Sequence, residues 1–226
     1  MQYEEIIGKL ESLKNPKNVE GMARFGIRPK TKIYGAPVPE LRKIARIVKK
    51  NHQLALKLWD SKIHEARILA SMLADAEKLT VDQINKWVSD FDSWDVCDQA
   101  CMNLLDKSEI AKNQISKFAK SKEEFIKRTA FALIAALAVH DKKMKDEDFM
   151  DFFPLIKKAA IDERNFVKKS VNWALRQIGK RNKKLNKEAI KLAKEIQNNH
   201  SKSAKWIANN ALIELTSENV QRKFKN

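Results

Sequence analysis

The sequence predicts an all-α protein, an α-superhelix (solenoid) built from stacked pairs of helices. Three observations lead to this fold class. Only five glycines and five prolines occur in 226 residues, and such scarcity of chain-breaking residues favours helices with short connections. Apolar residues recur at helical spacing, without the alternation typical of strands. Similar helices also return at roughly regular intervals, as in repeat proteins.

The N-terminal segment departs from that repeat. Residues 1–14 are predicted to form an amphipathic helix, and a second short helix is expected from Val19 to Phe25. A loop should follow from Gly26 to Val38, because glycine and proline interrupt this segment. Pro39 then lies in the first turn of a helix that runs from Glu40 to Lys50, where a missing amide hydrogen is tolerated.

Five later segments share one pattern, a polar or charged start followed by an alanine-spaced apolar stripe. They begin at Glu65, Asp98, Lys127, Lys168 and Lys205. The starts lie about 30 to 40 residues apart, which is the length of a two-helix repeat of the HEAT or armadillo kind. Because one pair cannot bury its apolar face alone, neighbouring pairs should stack into a superhelix with a concave face. No boundary divides the chain, so we predict a single domain over residues 1–226.

The charge balance points to an anionic partner. The chain has 45 lysines and arginines against 29 aspartates and glutamates, a formal net charge of +16. Such a charge favours an extended polyanion such as nucleic acid, or an anionic membrane surface. A lysine-rich surface without a polyanionic partner is the alternative, because composition does not show whether the charges cluster. We expect the concave face to be basic.

The two cysteines and the lack of long apolar runs predict a reduced, cytoplasmic protein. Cys97 and Cys101 are one helical turn apart, so both are expected in the core as small apolar side chains. A disulfide across one helical turn is geometrically awkward. The N-terminus lacks a signal-peptide pattern, and no run approaches the roughly 18 apolar residues of a membrane span.

The segment from Asp90 to Gln99 is the most informative for chemistry. Ser93 is a candidate N-cap, so that Trp94 would open a helix and share one face with Asp98, one turn later. A tryptophan ring and a carboxylate both stabilise positive charge, so the pair could flank a cationic substrate. The alternative, which the residues alone favour, is a core tryptophan beside a structural aspartate.

Two later helices combine cations with apolar stripes. Lys168, Lys169 and Arg176 surround Trp173 along one helix, a composition typical of nucleic-acid surfaces, although this ring could instead belong to the core. Lys127 and Arg128 open another apolar helix. Arg128 either donates hydrogen bonds to a neighbouring repeat or contacts a phosphate, and the sequence leaves both roles open.

Other chemistries find little support. The four histidines are scattered, and His64 with Glu65 lacks the second histidine of a zinc-binding helix, so we interpret the pair as structural. No phosphate-binding glycine loop and no serine or cysteine nucleophile motif occurs. We therefore expect neither a metal nor another cofactor.

Taken in order, these segments resemble the AlkD-like family of DNA alkylation repair glycosylases over nearly the whole chain. Each motif alone is weak, whereas their ordered combination is specific. The matching elements are Met22-Ala-Arg-Phe25, Gly35-x-x-x-Pro39-x-x-Arg42, Leu58-Trp-Asp60, Trp94-Asp-x-x-Asp98, Arg128-Thr-Ala130 and Val171-x-Trp173-x-Leu-Arg176. Members of this family are HEAT-like-repeat enzymes, so the resemblance implies the same architecture here.

The resemblance also implies an activity. Family members remove cationic N3- and N7-alkylated purines from duplex DNA, without flipping the base into a pocket. Asp98 matches the catalytic aspartate, and Trp94 and Trp173 match the tryptophans that contact the deoxyribose of the lesion. The chemistry suits these residue types, because the sugar becomes positively charged as the glycosidic bond breaks.

The resemblance further implies a DNA-binding surface. Arg128 matches an arginine that helps to hold the DNA backbone. Phe25 stands where the family often has tyrosine, so that a hydroxyl contact to DNA would be lost. The other cations expected to contact DNA are Lys127, Lys169 and Arg176.

Two other functions stay open at this point. One is a non-catalytic binder of damaged or branched DNA on the same scaffold, which the retention of Asp98 and both tryptophans disfavours. The other is a protein-binding HEAT scaffold, which should have an apolar or mixed groove and fits poorly with a net charge of +16. We expect a monomer that embraces double-stranded DNA.

Overall fold

The computed structural model describes residues 1–224 and consists of α-helices joined by short turns. Within these residues no β-strand forms, and Lys32 and Ile63 make an isolated bridge. The all-α prediction is therefore confirmed. By its contacts the chain divides into two compact units, Met1–Lys112 and Asn113–Asn226. A single domain over residues 1–226 stays a prediction.

The first unit is organised around its fifth helix. Its helices are α1 (Tyr3–Ser12), α2 (Pro16–Arg24), α3 (Val38–Val48), α4 (His52–Asp60), α5 (His64–Leu73), α6 (Val81–Ser89) and α7 (Trp94–Asn103), with 3-10 turns at Ala76–Lys78 and Leu105–Lys107 and with α8 (Glu109–Asn113) at the boundary. Helix α5 packs against α3, α4 and α7. Nine of its ten residues are buried, so it forms the centre of this unit.

The second unit is organised around its fifth helix. Its helices are α9 (Ile115–Ala119), α10 (Glu124–His140), α11 (Asp146–Met150), α12 (Phe153–Ala159), α13 (Asn165–Gly179), α14 (Lys183–Gln197), α15 (Lys202–Leu215) and α16 (Glu218–Arg222). Helix α13, the fifth, packs against α10, α12, α14 and α15, and α14 also packs against α15. Helix α10 is buried from Arg128 to Ala138, as expected for a helix that is apolar on all sides.

All five predicted repeat segments lie in helices, namely α5, α7, α10, α13 and α15. Their alanines allow close approach of neighbouring helices, because each leaves little volume between the backbones. Cys97 and Cys101 lie buried in α7 and form no disulfide, so their predicted role as small core residues is confirmed. Burial raises the pKa of the Cys101 thiol well above its ordinary value, which keeps this thiol protonated and unreactive.

Several helix boundaries differ in detail from the expectation. Helix α3 runs from Val38 to Val48, where Glu40 to Lys50 was expected. Helix α2 begins at Pro16 instead of Val19, because Asn15 caps it by accepting a hydrogen bond from the amide of Asn18 at 3.1 Å and proline suits the first helical position. Ser93 occupies the N-cap of α7, as predicted, yet its side chain makes no capping hydrogen bond.

The loop between α2 and α3 is fixed to α5. The buried carboxylate of Glu65 accepts hydrogen bonds from the amides of Tyr34 (3.0 Å) and Gly35 (2.6 Å). Gly35 has a φ of +79°, and a Cβ there would lie 2.5 Å from the carbonyl oxygen of Asn15. Only glycine therefore fits this position. Asp92, just before α7, accepts hydrogen bonds from the amides of Lys30 and Thr31 at the other end of the loop.

Buried polar side chains tie each repeat to the next one. Arg67 on α5 donates to the carbonyl oxygen of Asp90 at 2.8 Å. Asn172 on α13 does the same to the carbonyl oxygen of Ile207 on α15, at 3.1 Å. These bonds satisfy buried polar groups on both sides, and they fix the register between successive helices.

Candidate nucleic-acid interface and active site

Trp94 and Asp98 stand at the beginning of α7. Trp94 is the first residue of this helix, and Asp98 follows one turn later, so the two side chains share a helix face. Both residues are half-buried. Trp94 is therefore not a core residue of the kind that the alternative interpretation required.

The indole of Trp94 is held by the backbone of α2. Its Nε1 donates a hydrogen bond to the carbonyl oxygen of Phe25 at 3.1 Å. Phe25 is the C-cap of α2, and it is 75% exposed. This position therefore contributes a carbonyl oxygen that orients Trp94 and an exposed aromatic ring. The carbonyl oxygen belongs to the main chain, so it is the same whether this residue is tyrosine or phenylalanine.

A buried ion pair lies beside the candidate catalytic residues. Asp95 Oδ2 lies 2.8 Å from Nε2 of His64, whose side chain is fully buried. Burial alone would lower the pKa of His64, but the hydrogen bond and the negative charge of Asp95 outweigh it and raise that pKa. The pKa of Asp95 is lowered, because the bond to His64 and its charge outweigh burial. The pair ties α5 to the first turn of α7.

This ion pair is a positioning feature that the sequence did not reveal. His64 was interpreted as structural, and its contact agrees with that interpretation. Asp95 received no role, because its partner is 31 residues away and nothing local in the sequence marks the contact. A polar residue in the first turn of an apolar helix was the only available signal.

In the second unit, helix α10 begins at Glu124, three residues before the predicted start at Lys127, and Lys127 and Arg128 make protein contacts. Arg128 is 5% exposed, and its Nη1 donates to the carbonyl oxygen of Phe166 at 2.6 Å. This is the hydrogen bond to a neighbouring repeat that the sequence offered as one of two roles for Arg128. Its other role, a phosphate contact, remains a prediction. Lys127 Nζ lies 3.0 Å from Oδ2 of Asp162. The hydrogen bond from Arg164, together with that of Lys127, lowers the pKa of Asp162 to about 2 despite its burial.

Helix α13 presents Trp173, Lys169 and Arg176. Trp173 is half-buried and Lys169 is exposed. Arg176 pairs with Glu214 on α15, and Lys180 Nζ lies 2.6 Å from the same carboxylate. Burial would raise the pKa of Glu214, but these two cations lower it. Part of the positive charge of Arg176 is therefore neutralised, whereas that of Lys169 faces solvent.

The predicted site residues fall into two groups. Trp94, Asp98 and Phe25 belong to the first unit, and the hydrogen bond from Trp94 brings the first and the third together. The second unit holds Trp173, Arg128, Lys127, Lys169 and Arg176. A joint site formed by both groups on a concave basic face stays a prediction.

Residues 1–224 contain no group of three or more histidine, cysteine, aspartate or glutamate side chains that could hold a metal ion. In the same part of the chain, no helix is long and apolar enough to cross a bilayer.

Comparison with known proteins supplies the family. The family model described as DNA alkylation repair enzyme matches residues 6–215. The uncharacterized protein Lin0241 of Listeria innocua is 23% identical over 201 residues, which cover 88% of each chain. The uncharacterized protein Lmo0209 of Listeria monocytogenes is 31% identical over 87 residues, or 38% of this chain and 39% of that protein.

A solved structure supports the fold. It is described as a new family of proteins related to the HEAT-like repeat DNA glycosylases with affinity for branched DNA structures. It superposes with a TM-score of 0.76 and 17% sequence identity, covering 92% of this chain and 93% of that chain. At this identity the similarity concerns the fold, which confirms a solenoid of HEAT-like repeats. By the match over residues 6–215, the chain belongs to the DNA alkylation repair enzyme family.

Proposed function

We propose that this protein is a DNA glycosylase that hydrolyses the N-glycosidic bond of cationic N3- and N7-alkylated purines in duplex DNA. The observation that carries the proposal is the placement of Trp94 and Asp98 on one face at the start of α7, in a chain of the DNA alkylation repair enzyme family. The reaction needs no base-flipping pocket, because the scissile bond and the sugar are reached from the DNA backbone.

The residue types suit the charge that develops during this reaction. An alkylated purine is already cationic, so it leaves as a neutral base without a general acid. The deoxyribose left behind resembles an oxocarbenium ion. The carboxylate of Asp98 would stabilise this positive charge and orient the attacking water. The faces of Trp94 and Trp173 would add attraction between their π-electrons and the cationic sugar.

Two contacts favour a preorganised site. The indole of Trp94 is oriented by its hydrogen bond to the carbonyl oxygen of Phe25. The first turn of α7 is held by the ion pair of Asp95 with buried His64. Electrostatic stabilisation is most effective when the charged and polar groups need not reorganise during the reaction.

DNA binding would rest on cations and on the shape of the backbone. A net charge of +16 supports binding to the polyanionic duplex. Lys169 is the exposed cation among the predicted contacts of α13, so we assign it a phosphate contact. Lys127, Arg128 and Arg176 make protein contacts as well, so any phosphate contact of theirs would share the side chain with a structural role.

Release of 7-methylguanine from methylated duplex DNA tests the proposal. We expect release by the wild-type protein and a loss of about 10²-fold or more in Asp98→Asn, because the amide cannot stabilise the cationic sugar. Asp82→Asn is the matched control, since Asp82 is an exposed residue of α6 with no proposed role. A folded wild-type protein that binds the duplex without releasing the base would contradict the glycosylase proposal.

A second candidate function is a non-catalytic binder of branched DNA. It is favoured by the fold shared with a protein whose description names affinity for branched DNA structures. The same samples distinguish the two functions. Tighter binding of a four-way junction than of the duplex, unaffected by Asp98→Asn and without base release, would support this second function.

A further inference from the structure

Trp206, in the second turn of α15, is a large aromatic residue that is not buried in the core. It is 39% exposed, although α15 packs against α13 and α14. The ammonium group of Lys168 on α13 lies 5.2 Å from the centroid of its ring. The ring is exposed and Lys168 is half-buried where α13 packs against α15, so neither side chain fills the core.

The surroundings of Trp206 are basic. Lys202 precedes it by one turn on the same helix face, and Lys205 is its exposed neighbour in the chain. Neither α13 nor α15 has an acidic residue in its first turn, where acidic side chains would be favoured by the helix dipole. The charge at this end of the two helices therefore complements an anionic partner.

The nearby carboxylate of Glu163 is already engaged. It accepts hydrogen bonds from the hydroxyl of Ser201 at 2.7 Å and from the amide of Ser203 at 3.1 Å. Its role is thus to hold the N-terminus of α15. Glu163 therefore offsets only part of the positive charge of the lysines around the indole.

The position of the indole is also fixed. Ser203 Oγ donates to the carbonyl oxygen of Asp162 at 2.8 Å, and Asn172 on α13 donates to the carbonyl oxygen of Ile207 at 3.1 Å. The bonded residues of α15, Ser203 and Ile207, lie on either side of Trp206 in the chain, and their bonds hold the backbone of Trp206 close to α13. Ile213, two turns further along the same face, is 73% exposed, but Asn209 and Asn210 lie between it and the ring, so the exposed apolar surface at this site is limited to the indole.

We propose that Trp206, Lys168 and Lys202 form a binding site for an unpaired nucleotide of a DNA strand. The base stacks on the exposed part of the indole, and the adjoining phosphates contact the two lysines. Aromatic rings combined with cations are the general means of binding unpaired strands, because every base has a π-face and every nucleotide a phosphate. The inference goes beyond the proposed base release, since it requires neither Asp98 nor a lesion.

An unpaired strand fits this surface better than a protein helix does. A helix that docks into an apolar groove needs a continuous apolar surface, whereas here an ammonium group lies over the ring and lysines flank it. A strand of DNA supplies an aromatic base and a negative charge at each nucleotide, which match both components of the surface.

Binding of a duplex with a single-stranded overhang of about ten thymidines, compared with the blunt duplex, tests the site by fluorescence anisotropy. We expect the wild type to prefer the overhang, and Trp206→Ala to lose that preference by about tenfold. Trp206→Phe should retain most of it, because an aromatic face remains. Ile47→Ala is the control, since Ile47 is an exposed apolar residue of the first unit.

The outcomes separate this site from the glycosylase chemistry. Release of 7-methylguanine from a blunt methylated duplex should be the same in Trp206→Ala and in the wild type. Equal affinity of the wild type for blunt and overhanging duplexes would overturn the inference, as would full overhang affinity in Trp206→Ala that is folded by circular dichroism. Binding of polyglutamate that depends on Trp206, without an overhang preference, would also overturn it and point to an acidic protein partner.

Discussion

Asp95 and Asp98 are three residues apart on α7, yet we assign different roles to their side chains. Asp95 bonds to His64 and fixes the helix, whereas Asp98 shares the face of Trp94. The local spacing of Trp94 and Asp98 was readable in the sequence, because it depends only on helix periodicity. The partner of Asp95 was not, because the contact joins residues that are 31 positions apart.

The ion pair of His64 and Asp95 should make stability depend on pH. The pKa of His64 is raised from 6.5, so its contribution is complete below that value and is lost as the pH rises through the folded-state pKa. The pKa of Asp95 is lowered from 3.8, so its contribution is complete above that value and is lost as the pH falls through the folded-state pKa. Between these limits the pair stabilises the fold most.

His64→Gln tests this dependence. We expect it to lower the free energy of unfolding more at about pH 5.5 than at about pH 9, because the charged histidine that pairs with Asp95 is favoured at the lower pH. Urea denaturation at both pH values measures the difference. An equal loss at the two pH values would mean that His64 contributes by packing alone.

At the scale of the helices, most of the fold could be predicted. The five alanine-spaced stripes appear as α5, α7, α10, α13 and α15, because helical spacing of apolar residues follows directly from their burial. The start of α2 was misplaced by three residues, since Asn15 and Pro16 were interpreted only as an interruption, although together they form a favourable helix start. Contacts between helices, such as the bond of Arg128 to Phe166, depend on the neighbouring repeat. The sequence of one helix therefore does not distinguish such a contact from a contact to a phosphate.

Arg128 should stabilise the junction between α10 and α13. Arg128→Gln removes the hydrogen bond to the carbonyl oxygen of Phe166, and we expect a loss of about 2 kcal/mol in the free energy of unfolding. Chemical denaturation measures this loss. Unchanged stability would contradict the inter-repeat role.

A phosphate contact of Arg128 would have a separate signature. The slope of log affinity against log salt concentration would become shallower by about one unit in Arg128→Gln. A stability loss with an unchanged slope would assign the residue to the fold alone, whereas both effects together would mean that one guanidinium serves both purposes.

At the scale of the whole molecule, the net charge should govern the proposed binding to DNA. A protein with a net charge of +16 should bind any duplex at low salt, with an affinity that falls steeply as salt rises. Composition alone predicted this property. It did not predict which cations are committed to protein carboxylates, because the pairs of Lys127 with Asp162 and of Arg176 with Glu214 join different elements.

Lys169 should contribute to that binding without contributing to the fold. We expect Lys169→Ala to make the salt dependence shallower by about 0.9 units and to leave the unfolding free energy unchanged, since the side chain is exposed. Lys194→Ala on α14 is the control, an exposed lysine of the same unit without a proposed contact. The same shift in both variants would mean that only the total charge matters.

The bonds between repeats share a property with consequences for evolution. Trp94, Arg67, Arg128 and Asn172 all donate to main-chain carbonyl oxygens. A main-chain acceptor persists whatever side chain its residue carries, so mutation can erase such a bond only from the donor side. The side chain of the acceptor residue can therefore change during evolution without loss of the hydrogen bond. This freedom is one way in which relatives can keep a common fold, as at a TM-score of 0.76, when only 17% of their residues remain identical.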